Sequence, residues 1–298
     1  MKLNIGYFAD GPWSHIAFKR LIKDQDILIS FICVRWDTKD NTLENYCKEY
    51  GIKYLKSQDV NSEKFIEIIK LFNCDLFVSM SFNQIFKTQL INLPRLKIIN
   101  CHAGKLPFYR GRNILNWALI NDEKDFGITV HFVDEGIDTG DIIIQRCYPI
   151  SDKDNYSTLL NKAFIECSKV LYEAISMLKS NKVRSFSQNS IDPFGSYCPV
   201  RKHGDEYIDW QQTSRSIFNF VRALSYPGPI ATTFLSGLEI KIHQVEIIGN
   251  ASNNIGKPGV VLEIKNQNLI IKTLDSFIKV SEFESGQNIK VGDQFETK

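Results

Sequence analysis

Residues 3–36, LNIGYFADGPWSHIAFKRLIKDQDILISFICVRW, contain two apolar runs separated by a helical pattern. The runs cover 3–9 and 26–36 and are rich in Ile, Val and Phe, which is typical of strands buried on both faces. Between them, HIAFKRLIK (15–23) has the spacing of an amphipathic helix. This strand–helix–strand unit predicts a parallel sheet covered by helices.

The same alternation continues as far as residue 102. A helical pattern over 42–51 ends at Gly51, and FIEIIKLF (65–72) is another amphipathic segment. Apolar runs at 75–82 and 96–102 predict two further buried strands. We therefore expect the α/β class, with a doubly wound, Rossmann-like sheet in the N-terminal part of the chain.

The pattern changes in the second half of the chain. Runs at 126–134 and 141–147 predict an antiparallel pair, and 156–179 predicts a long amphipathic helix. Beyond it, one helix at 213–224 and several short strands separated by turns predict a small, mostly β domain, built as a barrel or a sandwich. The predicted boundaries follow from these changes: an N-terminal domain at 1–183, a polar linker at 184–206 and the C-terminal domain at 207–298.

The composition excludes several classes of protein. The 36 Lys and Arg residues nearly balance 34 Asp and Glu, whereas a general nucleic-acid binder usually has a clear basic excess. Seven cysteines, an odd number without a Cys-x-x-Cys pair, indicate reduced thiols rather than disulfides. No zinc-site spacing occurs, and no apolar run reaches the length of a membrane span. We expect a cytoplasmic protein that needs no metal, membrane or nucleic acid.

Two polar residues stand at the end of the strand predicted at 96–102. Asn100 and His102 are two positions apart, so both side chains lie on the same face of the strand. The carboxyl ends of strands in a doubly wound sheet are where ligands bind. Asn100 and His102 are therefore candidate functional residues, with hydrogen-bonded structural polar groups as the alternative.

A second candidate lies in the segment EGIDTGD. Asp138 stands between Gly136 and Gly140, and glycines on both sides allow a tight turn that exposes the side chain. An Asp in such a position is often only a turn residue, and that alternative stays open. His131, inside a predicted strand, is interpreted as structural.

Residues 98–141 contain four motifs in order: Asn100-Cys101-His102, Leu106-Pro107-x-Tyr109-Arg110-Gly111, Gly127-Ile128-Thr129-Val130-His131 and Asp138-Thr139-Gly140-Asp141. These motifs resemble those of the folate-dependent formyltransferases, which include methionyl-tRNA formyltransferase, glycinamide ribonucleotide formyltransferase and the sugar-nucleotide N-formyltransferases. The resemblance implies an enzyme that takes a formyl group from 10-formyltetrahydrofolate, with Asn100, His102 and Asp138 as catalytic residues and without a metal. It also implies that the pterin end of the folate binds between two loops. The candidate residues in these loops are Met80, Ser81, Phe82, Asp134, Gly136 and Ile137.

Substrate-binding candidates come from three turns. Trp13 and His15 follow the first strand, and Tyr109, Arg110 and Arg112 form a basic turn that opens a helix and suits an anion. Tyr226, before Pro227, is a candidate for stacking on a nucleotide base. Ordinary core packing, a surface or capping His15 and a solvated turn at 109–112 are the alternatives.

The resemblance defines the formyl donor better than the acceptor. Residues 201–298 contain eleven Lys and Arg and eleven Asp and Glu, which gives little attraction for a tRNA. The segments around 102–107 and 110–113 resemble the sugar-nucleotide enzymes more closely. We therefore expect a homodimer that formylates the 4-amino group of a dTDP- or GDP-linked amino-deoxysugar, with a 3-amino group as the alternative, for lipopolysaccharide O-antigen or another surface glycan. Methionyl-tRNA formylation, hydrolysis of the folate and non-catalytic binding are the alternatives.

Overall fold

The computed structural model describes residues 2–249 and 256–297. The chain divides into two compact units, each assembled from separate segments. The first unit contains Met1–Arg112, Phe126–Tyr148 and Asn161–Cys198, and the second contains Asn113–Asp125, Pro149–Leu160 and Pro199–Lys298. The domain boundaries derived from the sequence, which describe consecutive stretches of chain, stay a prediction.

A seven-stranded sheet forms the centre of the first unit. Its order is β3 (Lys53–Lys56), β2 (Ile27–Val34), β1 (Leu3–Ala9), β4 (Leu76–Met80), β5 (Ile98–His102), β7 (Asp125–Phe132) and β8 (Ile142–Pro149). Strands β3 to β5 are mutually parallel, and β7 runs antiparallel to β5. The order 3-2-1-4-5 confirms the predicted doubly wound, Rossmann-like sheet.

Aromatic side chains pack tightly on one face of this sheet. Phe8 makes edge-to-face contacts with Phe31 and Phe77, at ring-centroid distances of 5.6 and 5.3 Å. Gly6 makes room for them, because a Cβ at this position would lie 2.4 Å from the Phe31 ring. At Gly6 the core of the first unit is therefore packed so closely that an added Cβ would force the aromatic rings to shift.

Three helices of the first unit, α1 (Gly11–Leu21), α2 (Thr42–Tyr50) and α3 (Glu63–Lys70), follow the predicted segments. The short α4 (Thr88–Ile91) lies outside them. The C-cap of α2 is Gly51 in the left-handed conformation, and Ser62 caps α3 by accepting the Phe65 N–H. A long helix, α6 (Tyr156–Lys179), has its bounds where the hydrophobic pattern predicts them.

An antiparallel sheet dominates the second unit. Its order is β10 (Ala231–Leu235), β11 (Leu238–Ile247), β14 (Phe277–Ser285), β13 (Asn268–Lys272) and β12 (Val261–Lys265). Near the C-terminus, Glu296 bridges Phe234 on one edge strand and Gln294 bridges Val260 beside the other edge. These bridges close the sheet in the manner of a small barrel, which confirms the mostly β C-terminal domain.

Two helices complete the second unit. They are α5 (Ile114–Ile120) and α7 (Ser214–Ala223), and the buried Asn116 side chain of α5 donates to the Ala223 carbonyl at 2.7 Å. Trp210 is fully buried in the core of this unit, and its indole N–H donates to Thr233. Within residues 2–249 and 256–297, no helix combines the length and hydrophobicity that a membrane span needs.

Candidate active site

The candidate site lies at the carboxyl end of β5 in the first unit. Asn100 is half-buried and His102 is 8% exposed. Both belong to β5, between β4 on one side and β7 on the other. Three neighbouring strands therefore position this pair of side chains. The pair lies where the carboxyl ends of the parallel strands meet, which is where ligands of doubly wound folds bind.

Asp138 reaches the same place from the loop between β7 and β8. Its backbone is left-handed, with φ at 55°, and its side chain is 13% exposed. Oδ1 accepts a hydrogen bond of 3.4 Å from Asn100 Nδ2, and Oδ2 lies 3.6 Å from His102 Nδ1. The backbone N–H of Gly111 donates to Oδ2 at 2.9 Å. The structure thus brings together the three residues that the sequence singles out as catalytic.

His131 is a fourth member of the cluster. The β5–β7 pairing sets His131 opposite Asn100, and its Nε2 lies 3.3 Å from Asn100 Nδ2 and 3.5 Å from Asp138 Oδ1. Its Nδ1 donates to the Phe132 carbonyl at 2.7 Å. The strand pattern did not indicate this proximity, because it depends on the register between two strands distant in sequence. The interpretation of His131 as structural stays a prediction.

The charge on Asp138 follows from these neighbours. Burial by itself raises the pKa of a carboxyl group, but His102, His131 and the Gly111 N–H outweigh it. They hold the pKa of Asp138 well below its usual range. Asp138 is therefore a carboxylate at neutral pH and a weak proton acceptor.

The orientation of the His102 ring is set from its other side. Nε2 donates to the Tyr109 carbonyl at 2.7 Å, and a carbonyl oxygen only accepts, so Nε2 carries a hydrogen. Gly104 permits this arrangement, because a Cβ there would lie 2.4 Å from His102 Nε2 and 2.5 Å from the Tyr109 oxygen. In the neutral ring, Nδ1 then keeps its lone pair and faces Asp138.

Two glutamines hold the loops that carry these residues. Gln145 donates to the Leu106 carbonyl at 2.9 Å and to Thr129 Oγ1 at 2.8 Å, and Thr129 in turn donates to the Gly104 carbonyl. Gln188 donates to two carbonyls of the Asp138 loop. Neither glutamine belongs to a local motif, so the sequence contained no signal that would have identified it.

The comparisons with known proteins identify the family. The pattern described as formyl transferase matches residues 36–175, and the pattern described as formyl transferase, C-terminal domain, matches 201–297. A methionyl-tRNA formyltransferase of Thermodesulfovibrio yellowstonii is 31% identical over 256 residues, which cover 81% of this chain and 80% of that protein. This chain belongs to the formyl transferase family. The expectation of a folate-dependent formyltransferase, and so of an enzyme, is confirmed.

Solved structures of formyltransferases have the same fold. WlaRD, a sugar 3N-formyl transferase crystallised in the presence of dTDP and 5-N-formyl-THF, aligns with a TM-score of 0.68 at 22% identity and covers 100% of this chain and 99% of that chain. A 4-N formyltransferase from Francisella tularensis aligns with a TM-score of 0.60 at 26% identity, covering 79% of this chain and 94% of that one. These alignments confirm the predicted fold, whichever acceptor amine the chain uses.

The candidate folate residues of this formyltransferase lie in two loops. Met80, at the end of β4, is buried, and Ser81 follows it in a left-handed conformation, with φ at 57°. Phe82 is half-buried and stacks on Phe86. In the β7–β8 loop, Asp134 accepts hydrogen bonds from Gly136 N and Thr139 Oγ1, and Ile137 is 52% exposed. Their assignment to the pterin stays a prediction.

The candidate substrate residues have different surroundings. The Trp13 ring packs edge-on against Phe164 at 4.6 Å, and His15 Nε2 lies 3.2 Å from Asp40 Oδ2. Burial lowers the pKa of His15 more than Asp40 and Asp10 raise it, so the neutral ring is favoured. A neutral imidazole attracts a phosphate less than a charged one, which disfavours His15 as a phosphate ligand. In the second unit, Tyr226 is 78% exposed.

The basic turn at 109–112 separates into three kinds of residue. Tyr109 is left-handed, with φ at 59°, and accepts the His102 hydrogen bond. Arg110 is 5% exposed and its guanidinium is bonded inside the unit, whereas Arg112 is exposed. Arg112 is therefore the member of this turn whose guanidinium faces solvent, and the anion-binding roles of these residues stay predictions.

The functional groups of the site are those used in acid–base and electrostatic catalysis. Across residues 2–249 and 256–297, no group of three or more His, Cys, Asp and Glu side chains is arranged to hold a metal ion. An amide, an imidazole and a carboxylate meet at one point and together supply a hydrogen-bond donor, a proton acceptor and a fixed negative charge.

Proposed function

We propose that this formyltransferase moves the formyl group of 10-formyltetrahydrofolate onto the amine of a nucleotide-linked amino-deoxysugar. The observation that carries the proposal is the convergence of Asn100 and His102 on an ionised Asp138 at the end of β5. We further propose that the acceptor is dTDP- or GDP-linked with a 4-amino group, that the product serves surface-glycan synthesis, and that the enzyme acts as a homodimer in the cytoplasm.

The reaction joins the amine nitrogen to the formyl carbon and then breaks the bond between that carbon and N10 of the folate. A negatively charged oxygen develops in the tetrahedral intermediate, and hydrogen-bond donors aimed at this oxygen stabilise it. The Asn100 amide is a neutral donor at the site. We assign it to this oxygen.

One proton must move from the attacking amine to N10. The His102 ring suits this transfer, because Nε2 is held by the Tyr109 carbonyl and the Nδ1 lone pair remains for proton exchange. Asp138 is too weak a base to take the proton at neutral pH, given its lowered pKa. Its charge instead stabilises the imidazolium that His102 becomes before it returns the proton to N10.

The sugar-nucleotide acceptor has two supports. Residues 201–298 carry balanced charge, with eleven basic and eleven acidic residues, which disfavours a polyanion such as tRNA. The match to the Francisella tularensis 4-N formyltransferase, at 26% identity, covers nearly the whole of that protein. Methionyl-tRNA is the second candidate acceptor, because the relatives of that name are 31–33% identical over about four fifths of this chain.

The test measures tetrahydrofolate release from 10-formyltetrahydrofolate with different acceptors. The panel contains dTDP- and GDP-linked 4-amino and 3-amino deoxysugars, methionyl-tRNA and a control without acceptor. The matched control is each sugar nucleotide with its amine acetylated, which keeps the nucleotide and removes the nucleophile. We expect release only with a free amino sugar. Release with methionyl-tRNA alone supports the second candidate, and release without acceptor indicates a hydrolase.

A further inference from the structure

We propose that Gln188 is a positioning residue for Asp138 and that Arg110 fixes the orientation of the Gln188 amide. This inference rests on the role proposed above for Asp138. The Gln188 side chain is 1% exposed, and its Nε2 donates to the carbonyls of Asp138 and Gly140, each at 2.8 Å. One amide group thus holds two backbone carbonyls of the loop, that of Asp138 itself and that of Gly140 two residues later.

Arg110 determines which way the Gln188 amide points. Arg110 Nε and Nη2 donate to Gln188 Oε1 at 3.0 and 2.7 Å, so the oxygen faces the guanidinium and the NH₂ group faces the loop. Hydrogen bonds from a charged donor are roughly twice as strong as neutral ones, which favours this orientation strongly. The guanidinium itself is buried, and its Nη1 donates to the Phe194 carbonyl.

The same short strand holds Asp138 a second time. Arg110 and Gly111 form β6, which pairs in parallel with β9 (Tyr197–Cys198). The Gly111 N–H donates to Asp138 Oδ2, while Arg110 acts on the Asp138 backbone through Gln188. One dipeptide therefore fixes both the carboxylate and the backbone that carries it.

Asp138 needs such restraint because of its conformation. A left-handed backbone, with φ at 55°, is less favourable for Asp than for glycine, although Asp adopts it more readily than most residues, and Gly140 close by adds freedom to the loop. Without the two hydrogen bonds from Gln188, the loop gains access to other conformations. A displacement of about 1 Å at a reacting group can reduce the rate on the order of a hundredfold.

The experiment replaces the amide donor of Gln188 with a carboxylate, which has nearly the same shape but only accepts hydrogen bonds. Gln188→Glu preserves the contact with Arg110 but sets a carboxylate oxygen against two carbonyls. We expect kcat to fall roughly ten- to a hundredfold, with the KM of the acceptor changed by less than about threefold. Gln287→Glu is the matched control, because Gln287 also donates through Nε2 to one carbonyl, that of Leu235, at 2.7 Å in the second unit. We expect this control to keep wild-type kcat.

A double-mutant cycle separates positioning from a general effect on folding. If Gln188 acts through Asp138, Gln188→Glu should reduce the residual activity of Asp138→Asn by less than about twofold. A full additional loss in that background overturns the inference, as does wild-type kcat in Gln188→Glu alone. Wild-type activity of Asp138→Asn overturns the proposed function itself, and the inference with it.

Discussion

Two aspartates with lowered pKa values, one in each unit, differ in almost everything else. Asp138 is 13% exposed and meets two imidazole rings and a backbone N–H. Asp122 is 35% exposed, and hydrogen bonding from the Arg215 guanidinium is the main reason that its pKa lies well below its usual range. Arg215 also pairs with Asp152, so Asp122 belongs to a surface network of ions.

The difference shows what a lowered pKa means at each place. Arg215 is a permanent cation that pairs with the Asp122 carboxylate, so neither group exchanges a proton at neutral pH. An imidazole ring can take up and release a proton during a reaction, so the Asp138 carboxylate can stabilise a charge that appears on its partner. A perturbed carboxylate therefore indicates a catalytic site only together with the nature of its partners and its place in the fold.

The largest expected effect is that of His102→Asn. The substitution keeps a polar side chain but removes the proton acceptor, so turnover should fall by about 10³-fold or more. Steady-state rates of tetrahydrofolate release measure the loss, and equilibrium binding of the folate should change little. Turnover within a few fold of wild type would show that His102 is not the base.

Gly104→Ala should produce a smaller loss. The new Cβ collides with His102 Nε2 and the Tyr109 carbonyl, so the ring must move away from Asp138. We expect kcat to fall roughly ten- to a hundredfold. Gly286→Ala is the matched control, since Gly286 has nothing within 4 Å of an added Cβ and, like Gly104, does not have a left-handed backbone. Equal kcat in both variants would contradict the close approach at His102.

The pH dependence of stability distinguishes Asp138 from a neutral replacement. Because its folded pKa lies below the unfolded value of about 4, Asp138 contributes stability at higher pH that is lost as the pH falls below about 4. Each pKa unit of difference corresponds to about 1.4 kcal/mol. Urea unfolding at pH 7 and pH 3 should show that the gap in the free energy of unfolding between wild type and Asp138→Asn narrows in acid. A constant gap would mean that the carboxylate is not specially stabilised.

The smallest effect is expected from Arg215→Met in the second unit. Surface ion pairs contribute about 1 kcal/mol or less, so the free energy of unfolding should fall by about that amount. The loss should shrink in high salt, which screens exposed charges, while kcat stays at the wild-type value. Unfolding measured at low and high salt tests this, and a large loss of turnover would contradict the contrast between the two aspartates.

How far the sequence predicts this molecule depends on the range of each interaction. The strands of the parallel sheet, the helix at 156–179 and the shared face of Asn100 and His102 follow from local periodicity. Gln188 lies fifty residues after Asp138 in a polar segment without periodicity, so nothing local indicates its two hydrogen bonds. His131 joins the site through the pairing of β5 with β7, which a strand pattern alone does not specify.

The central claim is that Asp138 and its partners direct a formyl group to a sugar amine. The most direct test supplies 10-formyltetrahydrofolate with a ¹³C-labelled formyl carbon, together with an amino-sugar nucleotide and methionyl-tRNA, and locates the label by NMR. We predict a labelled formamide on the sugar nucleotide, formed more than about a hundredfold more slowly by Asp138→Asn. Label found only on methionyl-tRNA or as free formate, or transfer by Asp138→Asn at the wild-type rate, would contradict the account.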